Sequence, residues 1–161
     1  MTDRARPAAG ARAALDRWIP RLGLAYLWAG LAFDLTITIL AWTSPQIWFG
    51  FFHEGTPQGL EIALLRRAAG QWAAFALVQA LALALWKRDP TWLVIVAGAR
   101  SSDVFTDLSY LIASPALTPC GVLVLLPLPL VNTASVLLLL RWRALVKDPR
   151  GDGAQDIGRA T

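Results

Sequence analysis

Four apolar segments constrain this chain more than anything else in it, each close to the ~20 residues that a helix needs to cross ~30 Å of hydrocarbon. They run over about Leu22–Trp42, Leu65–Trp86, Trp92–Ala113 and Cys120–Leu140. In hydrocarbon every backbone N–H and C=O must be bonded internally, by a helix or a closed barrel, and four segments cannot close a barrel. All four are therefore expected to be helical. Composition agrees, with 56% hydrophobic and 16% charged residues against roughly 45–50% and about 25% in soluble domains. That hydrophobicity excludes disorder over most of the chain, and the single cysteine, Cys120, excludes a disulfide scaffold. The expected fold class is all-α, an integral membrane four-helix bundle in one domain.

The third segment contains Arg100, Asp103 and Asp107. Each such charge costs ~2.5–3.5 kcal/mol at the bilayer centre, while each large apolar residue returns only ~0.3–0.6. Alone it would insert poorly. Topology favours it nonetheless, because lysine and arginine collect on the cytoplasmic side. They lie in the N-terminal arm, at Lys87 and Arg88 between segments two and three, and after segment four at Arg141, Arg143 and Lys147. Four crossings put all these clusters on one side, with both termini cytoplasmic; three would place the last cluster outside. Since the basic residues flank apolar runs, the net charge of +4 points to the lipid bilayer as partner, not to nucleic acid.

The organisation that follows is a basic cytoplasmic arm over residues 1–21, a transmembrane domain over 22–145 and a disordered cytoplasmic tail over 146–161. A cleaved signal peptide competes for the first segment, but Asp34 and the length of the apolar run favour a retained anchor. Residues 43–64 form the long external connection. Its Trp48, Phe49, Phe51 and Phe52, followed by Gly55-Thr56-Pro57, read as an interfacial or re-entrant piece over the external mouth of the bundle. Pro127 and Pro129 should kink the fourth helix. His53 and Cys120 read as a loop contact and a packing residue. In the tail, Arg150-Gly151-Asp152 and the calcium-loop-like run from Asp148 read as chance, since Arg150 and Arg159 occupy positions that calcium would need acidic.

Ionisable residues inside a membrane are functional candidates by default, because retaining them is costly. At ~100° per residue, Arg100, Asp103, Asp107 and Tyr110 share about a quarter-turn of one helix. Counting 1.5 Å per residue from the cytoplasmic end puts Arg100 ~12 Å deep, Asp103 ~17 Å, Asp107 ~23 Å and Asp34 ~18 Å. By the same count Gln71 falls near Asp107, with Arg66 and Arg67 just above, and Asn132 falls near Arg100. The candidate network is Asp34, Arg67, Gln71, Arg100, Asp103, Asp107 and Asn132. In one reading it only fixes helix register, with Arg100 paired to Asp34 or Asp103 and Arg66 or Arg67 reaching Asp107. In the other, two carboxylates share one cation at the midplane, an arrangement suited to proton movement, cation-coupled transport or a polar ligand. Neither catalytic groups nor metal-ligand spacing can be assigned.

Leu65-Arg66-Arg67-Ala68-Ala69-Gly70 opening the second segment, with Gly98-Ala99-Arg100 in the third, resembles the DoxX-like group of small bacterial membrane proteins over roughly Leu22–Leu140. Some of that group are associated with membrane oxidoreductase complexes acting on quinone. The resemblance implies a bacterial cytoplasmic membrane and a quinone-linked accessory subunit, although the chain has no cysteine pair or haem-ligand pair of its own. Quinone is the one cofactor it suggests, and nothing catalytic carries over to Asp34, Asp103 or Asp107. The leading expectation is a non-enzymatic membrane subunit or ligand-binding bundle, alone, as a homo-oligomer or in a larger complex. A proton-coupled transporter and the quinone-linked subunit are the alternatives.

Overall fold

A computed structural model of the chain describes residues 6–147 apart from residue 115. The fold is all-helical, with α1 (Arg6–Thr43), α2 (Pro45–Phe52), α3 (Gly59–Leu85), α4 (Thr91–Ala113), α5 (Pro119–Leu125) and α6 (Leu128–Lys147) among the described residues. Three stretches are long and apolar enough to cross a membrane: Ala14–Thr43, Gly59–Leu85 and Pro119–Lys147. Helix α4 has comparable length at 23 residues, but its three central charges lower its apolar character.

Helix α1 runs unbroken through the basic arm from Arg6 and through Pro20; the alanines and arginines of that arm are strong helix formers. The fourth segment is two helices, α5 and α6, separated at Leu126 and Pro127. Proline has no N–H to donate and its ring crowds the preceding turn, so the helix breaks there. The tail beyond residue 147, with its two chance motifs, lies outside the described residues.

The most extensive contacts join α1 to α3 and α4 to α6, with smaller ones joining α1 to α6 and α3 to α4. Each long helix thus touches two others. On α1 the buried residues Ile19, Gly23, Leu27, Asp34 and Ala41 recur at spacings of four and seven, a single stripe facing the other helices. At one end the start of α1 meets the end of α6, where Arg141 makes a forked bond to Asp16 at 2.9–3.2 Å. The α3–α4 turn joins them there, with Trp86 4.6 Å from Trp142 ring to ring. This basic end of the molecule carries Arg17, Arg21, Lys87, Arg88, Arg141, Arg143 and Lys147.

The basic end is filled by Leu27, Leu93, Leu139 and Trp142, all fully buried. Trp142 lies where a side chain on Gly23 would stand, so glycine is required for α1 to meet α6. Gly70 and Gly98, by contrast, face open space. The opposite end is organised around α2. Trp48 and Phe52 are buried against Ala41, Leu65 and Ala69, and Trp48 stacks on Trp72 at 6.2 Å. The aromatic run is therefore a short helix with two rings turned into protein, while Ile47 and Phe51 stay exposed.

Candidate functional site

The polar network begins on the buried stripe of α1. Asp34 is 1% exposed and Arg100 6%, and the Arg100 guanidinium is paired to the Asp34 carboxylate. Its other terminal nitrogen donates to Asp103 Oδ2 at 2.8 Å, so one arginine serves two aspartates. Gln79 of α3 adds a third contact, donating from Nε2 to Asp34 Oδ2 at 2.6 Å. Its Oε1 is buried without a partner. A side chain on Gly30 would collide with Gln79 and stand 3.2 Å from Arg100 Nη2. Glycine at that position lets α3 and α4 both reach the aspartate.

Asp107, further along α4, accepts from Asn132 Nδ2 at 2.9 Å. The arginines assigned to it by depth do not reach it: Arg66 and Arg67 are exposed, and the ion pairs among the described residues are Arg100 with Asp34, Arg100 with Asp103 and Arg141 with Asp16. Gln71 is exposed and lines a cavity without joining the hydrogen-bonded network. Of the seven residues singled out in the sequence, the network joins Asp34, Arg100 and Asp103 in one group and Asp107 and Asn132 in another, leaving Arg67 and Gln71 outside.

Sequence reasoning passed over Gln79. A signal existed, since Gln79 continues the spacing of Leu65, Ala69 and Ala76, the buried residues of α3, whereas Gln71 lies off it. Direction matters as much as depth. Side chains tilt toward the N-terminus of their own helix, and α3 runs opposite to α1. Gln79 therefore reaches away from the basic end while Asp34 hangs toward it, and the two meet. Asn132 on α6 tilts the same way as Gln79, which carries it past the level of Arg100 to Asp107.

Two cavities border this network. The larger, about 710 Å³, lies under α2 between α3 and α4, with Trp48, Trp72, Phe75 and Tyr110 among its walls and Asp103 and Asp107 at its base. The smaller, about 270 Å³, lies between α1, α4 and the α5–α6 break and is lined by Asp34, Arg100 and Asn132. Asp103 and Asp107 line both. Among the described residues no three of His, Cys, Asp and Glu converge where a metal ion could be held.

The end of α2 is stitched to the start of α5. The Thr118 N–H donates to Phe52 O at 3.0 Å, the Glu54 N–H to Ala116 O at 2.8 Å, and the Thr118 hydroxyl donates to Phe51 O while accepting from the Gly121 N–H. Gly121 packs so closely that a Cβ there would be 2.6 Å from Phe52 O. His53, at the end of α2, is hydrogen-bonded to the Tyr110 hydroxyl with its ring edge-on at 5.6 Å. This ties the roof of the larger cavity to the helix carrying its acids. Gly55, at φ 99°, turns the chain away in a conformation that favours glycine.

No family model matches the chain, and comparison with curated proteins and with solved structures gives no significant match.

Proposed function

We propose that the chain is an integral membrane protein whose four long helices cross the bilayer as a bundle, with a small-molecule binding site in the cavity under α2. The exposed surface supports the membrane assignment. Trp28, Ile39, Leu77, Leu123 and Leu137 are each more than half exposed, a distribution foreign to soluble monomers, which rarely expose large contiguous apolar patches. Helix α4 follows the same plan. It turns Ile95, Phe105, Leu108 and Ile112 outward while Arg100, Asp103 and Asp107 face the other helices, so its charges need not meet lipid. Hydropathy averaged around the helix misses this division. The basic end then faces the cytoplasm with both termini, and α2 lies on the external side. A reporter active only in the cytoplasm, fused after Thr161 and separately after Pro57, should respond at Thr161 alone; activity at Pro57 or silence at Thr161 would overturn the topology.

The observation that carries the binding role is the larger cavity. Small-molecule sites are concave, mainly apolar and aromatic, and hold a few convergent polar groups. The space under α2 has that composition, about 710 Å³ with tryptophan, phenylalanine and leucine walls around Asp103, Asp107 and Gln71. The His53–Tyr110 bond and the α2–α5 stitching hold its roof in place, which lowers the ordering cost on binding. Purified in lipid nanodiscs and screened against a small-molecule library by thermal unfolding, the protein should be stabilised by a ligand whose effect is lost when Trp72 is changed to Ala. If every stabilising ligand acts equally on Trp72→Ala, the cavity is not the site. A bound quinone detected by its absorbance would identify the occupant as a quinone and favour the accessory-subunit alternative.

One observation favours a second reading. Asp103 and Asp107 border both cavities, so a proton taken up from one could be released to the other. A small proton-coupled transporter would use such a wall. Vesicles containing the protein would then acidify in response to a solute gradient, and Asp107→Asn would abolish the response.

A further inference from the structure

We infer that the larger cavity selects organic cations, such as an aromatic ammonium or another bulky amine; this rests on the binding role proposed above and narrows it to one ligand class. The cavity wall carries four carboxylates and neither lysine nor arginine. They are graded in depth, with Glu54 and Glu61 exposed near the rim and Asp103 and Asp107 half-buried at the base. Such a sequence of like charges beside low-dielectric walls draws in ions of opposite sign.

The charges at the base are incompletely compensated. Arg100 divides its guanidinium between Asp34 and Asp103, and the described partner of Asp107 is the neutral amide of Asn132. Asp34, Arg100, Asp103 and Asp107 therefore sum to a deficit of positive charge when the carboxylates are ionised. A bound cation fills that deficit, whereas a bound anion enlarges it.

The remaining wall distinguishes an organic cation from an inorganic one. Trp48 and Trp72 lie stacked 6.2 Å apart at 28°, and Phe75 and Tyr110 face the same space. Aromatic faces attract alkylated ammonium groups through the ring quadrupole, by a mechanism that needs no hydrogen bond. Phe75 already carries one such contact, with Arg100 Cζ 5.7 Å from its ring centroid. A small hydrated metal ion would gain little from these walls, and the acids do not converge into a metal-binding set.

The test uses the full chain in nanodiscs, with empty nanodiscs as blank and isothermal titration calorimetry as readout. The probes are phenyltrimethylammonium, its neutral isostere tert-butylbenzene, and benzenesulfonate. Saturable phenyltrimethylammonium binding, about tenfold or more tighter than the isostere, is the expected result. Asp107→Asn keeps an acceptor for Asn132 and should lower the cation affinity about tenfold while leaving the isostere unchanged. Gln71, exposed on the wall and outside the network, gives a charge pair that spares the fold. Gln71→Glu should tighten the cation and Gln71→Lys weaken it, about three- to tenfold each. Equal affinities for cation and isostere, unmoved by any of these changes, would overturn the cation preference and leave the binding role standing. Tighter benzenesulfonate binding would do the same. If none of the three probes saturates, the cavity is not a site for this class of molecule, and the cation inference falls with no bearing on ligands found by the unfolding screen.

Discussion

The two ends of this molecule are made from the same four long helices and are filled in opposite ways. At the basic end Trp142, Leu27, Leu93 and Leu139 are fully buried and the helices approach over Gly23. At the α2 end the helices border cavities of about 710 and 270 Å³, and the fourth segment breaks at Pro127. The charged network lies between them. One end holds the helices in register, and the other leaves room that a ligand could occupy. Stability and binding should therefore respond to different substitutions.

The largest effect is expected at Trp142. Its ring fills the concavity over Gly23, and truncating a buried tryptophan costs about 3–5 kcal/mol. Trp142→Ala should lower the unfolding midpoint strongly while leaving ligand affinity unchanged below that midpoint. A parallel loss of affinity would show that the two ends are not separable. The next effect concerns Arg100, on which both aspartates depend. Removing one partner of a buried pair costs about 3–5 kcal/mol, with the lower part of that range expected here because Gln79 still bonds Asp34. Arg100→Leu should be destabilised by about 3 kcal/mol, and Arg100→Leu combined with Asp34→Asn should recover much of it. Simple addition of the two single effects, read by thermal unfolding, would mean that the groups do not share one network.

How much of this was legible in the sequence depends on what kind of information each feature needs. Asp34, Arg100 and Asp103 stood out because a charge in an apolar run is conspicuous and one helical turn separates Arg100 from Asp103. The break at Pro127 follows from a missing N–H, a property of one residue. Partner choice was not legible from depth alone. Gln71 and Arg67 matched Asp107 in height but lie on other faces of α3, and Asn132 was displaced by the tilt of its side chain. Helix α2 was read as an interfacial piece because its aromatic run resembles a headgroup belt; only tertiary packing shows Trp48 facing Trp72. The larger cavity was beyond the sequence, since empty space is set by how several helices pack and no single residue encodes it.

A smaller effect would sharpen the role of Gln79, at the boundary between the two ends. Gln79→Leu removes a hydrogen bond to a charged carboxylate, a loss of about 1.5–3 kcal/mol. It also removes the unpartnered Oε1, a buried acceptor whose desolvation costs about 1–3 kcal/mol. The two terms oppose one another, so the net destabilisation should be about 1 kcal/mol or less. A loss as large as that of Arg100→Leu would mean that Gln79, and not Arg100, is the principal partner of Asp34.

The smallest effect lies wholly at the basic end and depends on pH. Asp89, in the α3–α4 turn, accepts from the Thr91 N–H at 2.9 Å, satisfying a donor at the start of α4 that has no partner within the helix. Hydrogen bonds from Thr91 hold its carboxyl below the ordinary aspartate value, with a further contribution from Lys147. Since the folded value is depressed, the ionised form is favoured by folding. The associated stability is fully present above the unfolded value of about 3.9 and is lost as pH falls through the lower folded one. The group is fully exposed, so the effect should be small beside those of Trp142 and Arg100. Comparing wild type with Asp89→Ala isolates it from the other carboxylates. The difference in unfolding midpoint should be constant from neutrality down to mildly acidic pH and should shrink below about pH 3.9, with faster amide exchange in the first turn of α4 as its local signature. A difference that grows on acidification would reverse the sign of the linkage and show that the neutral acid is the form that caps α4.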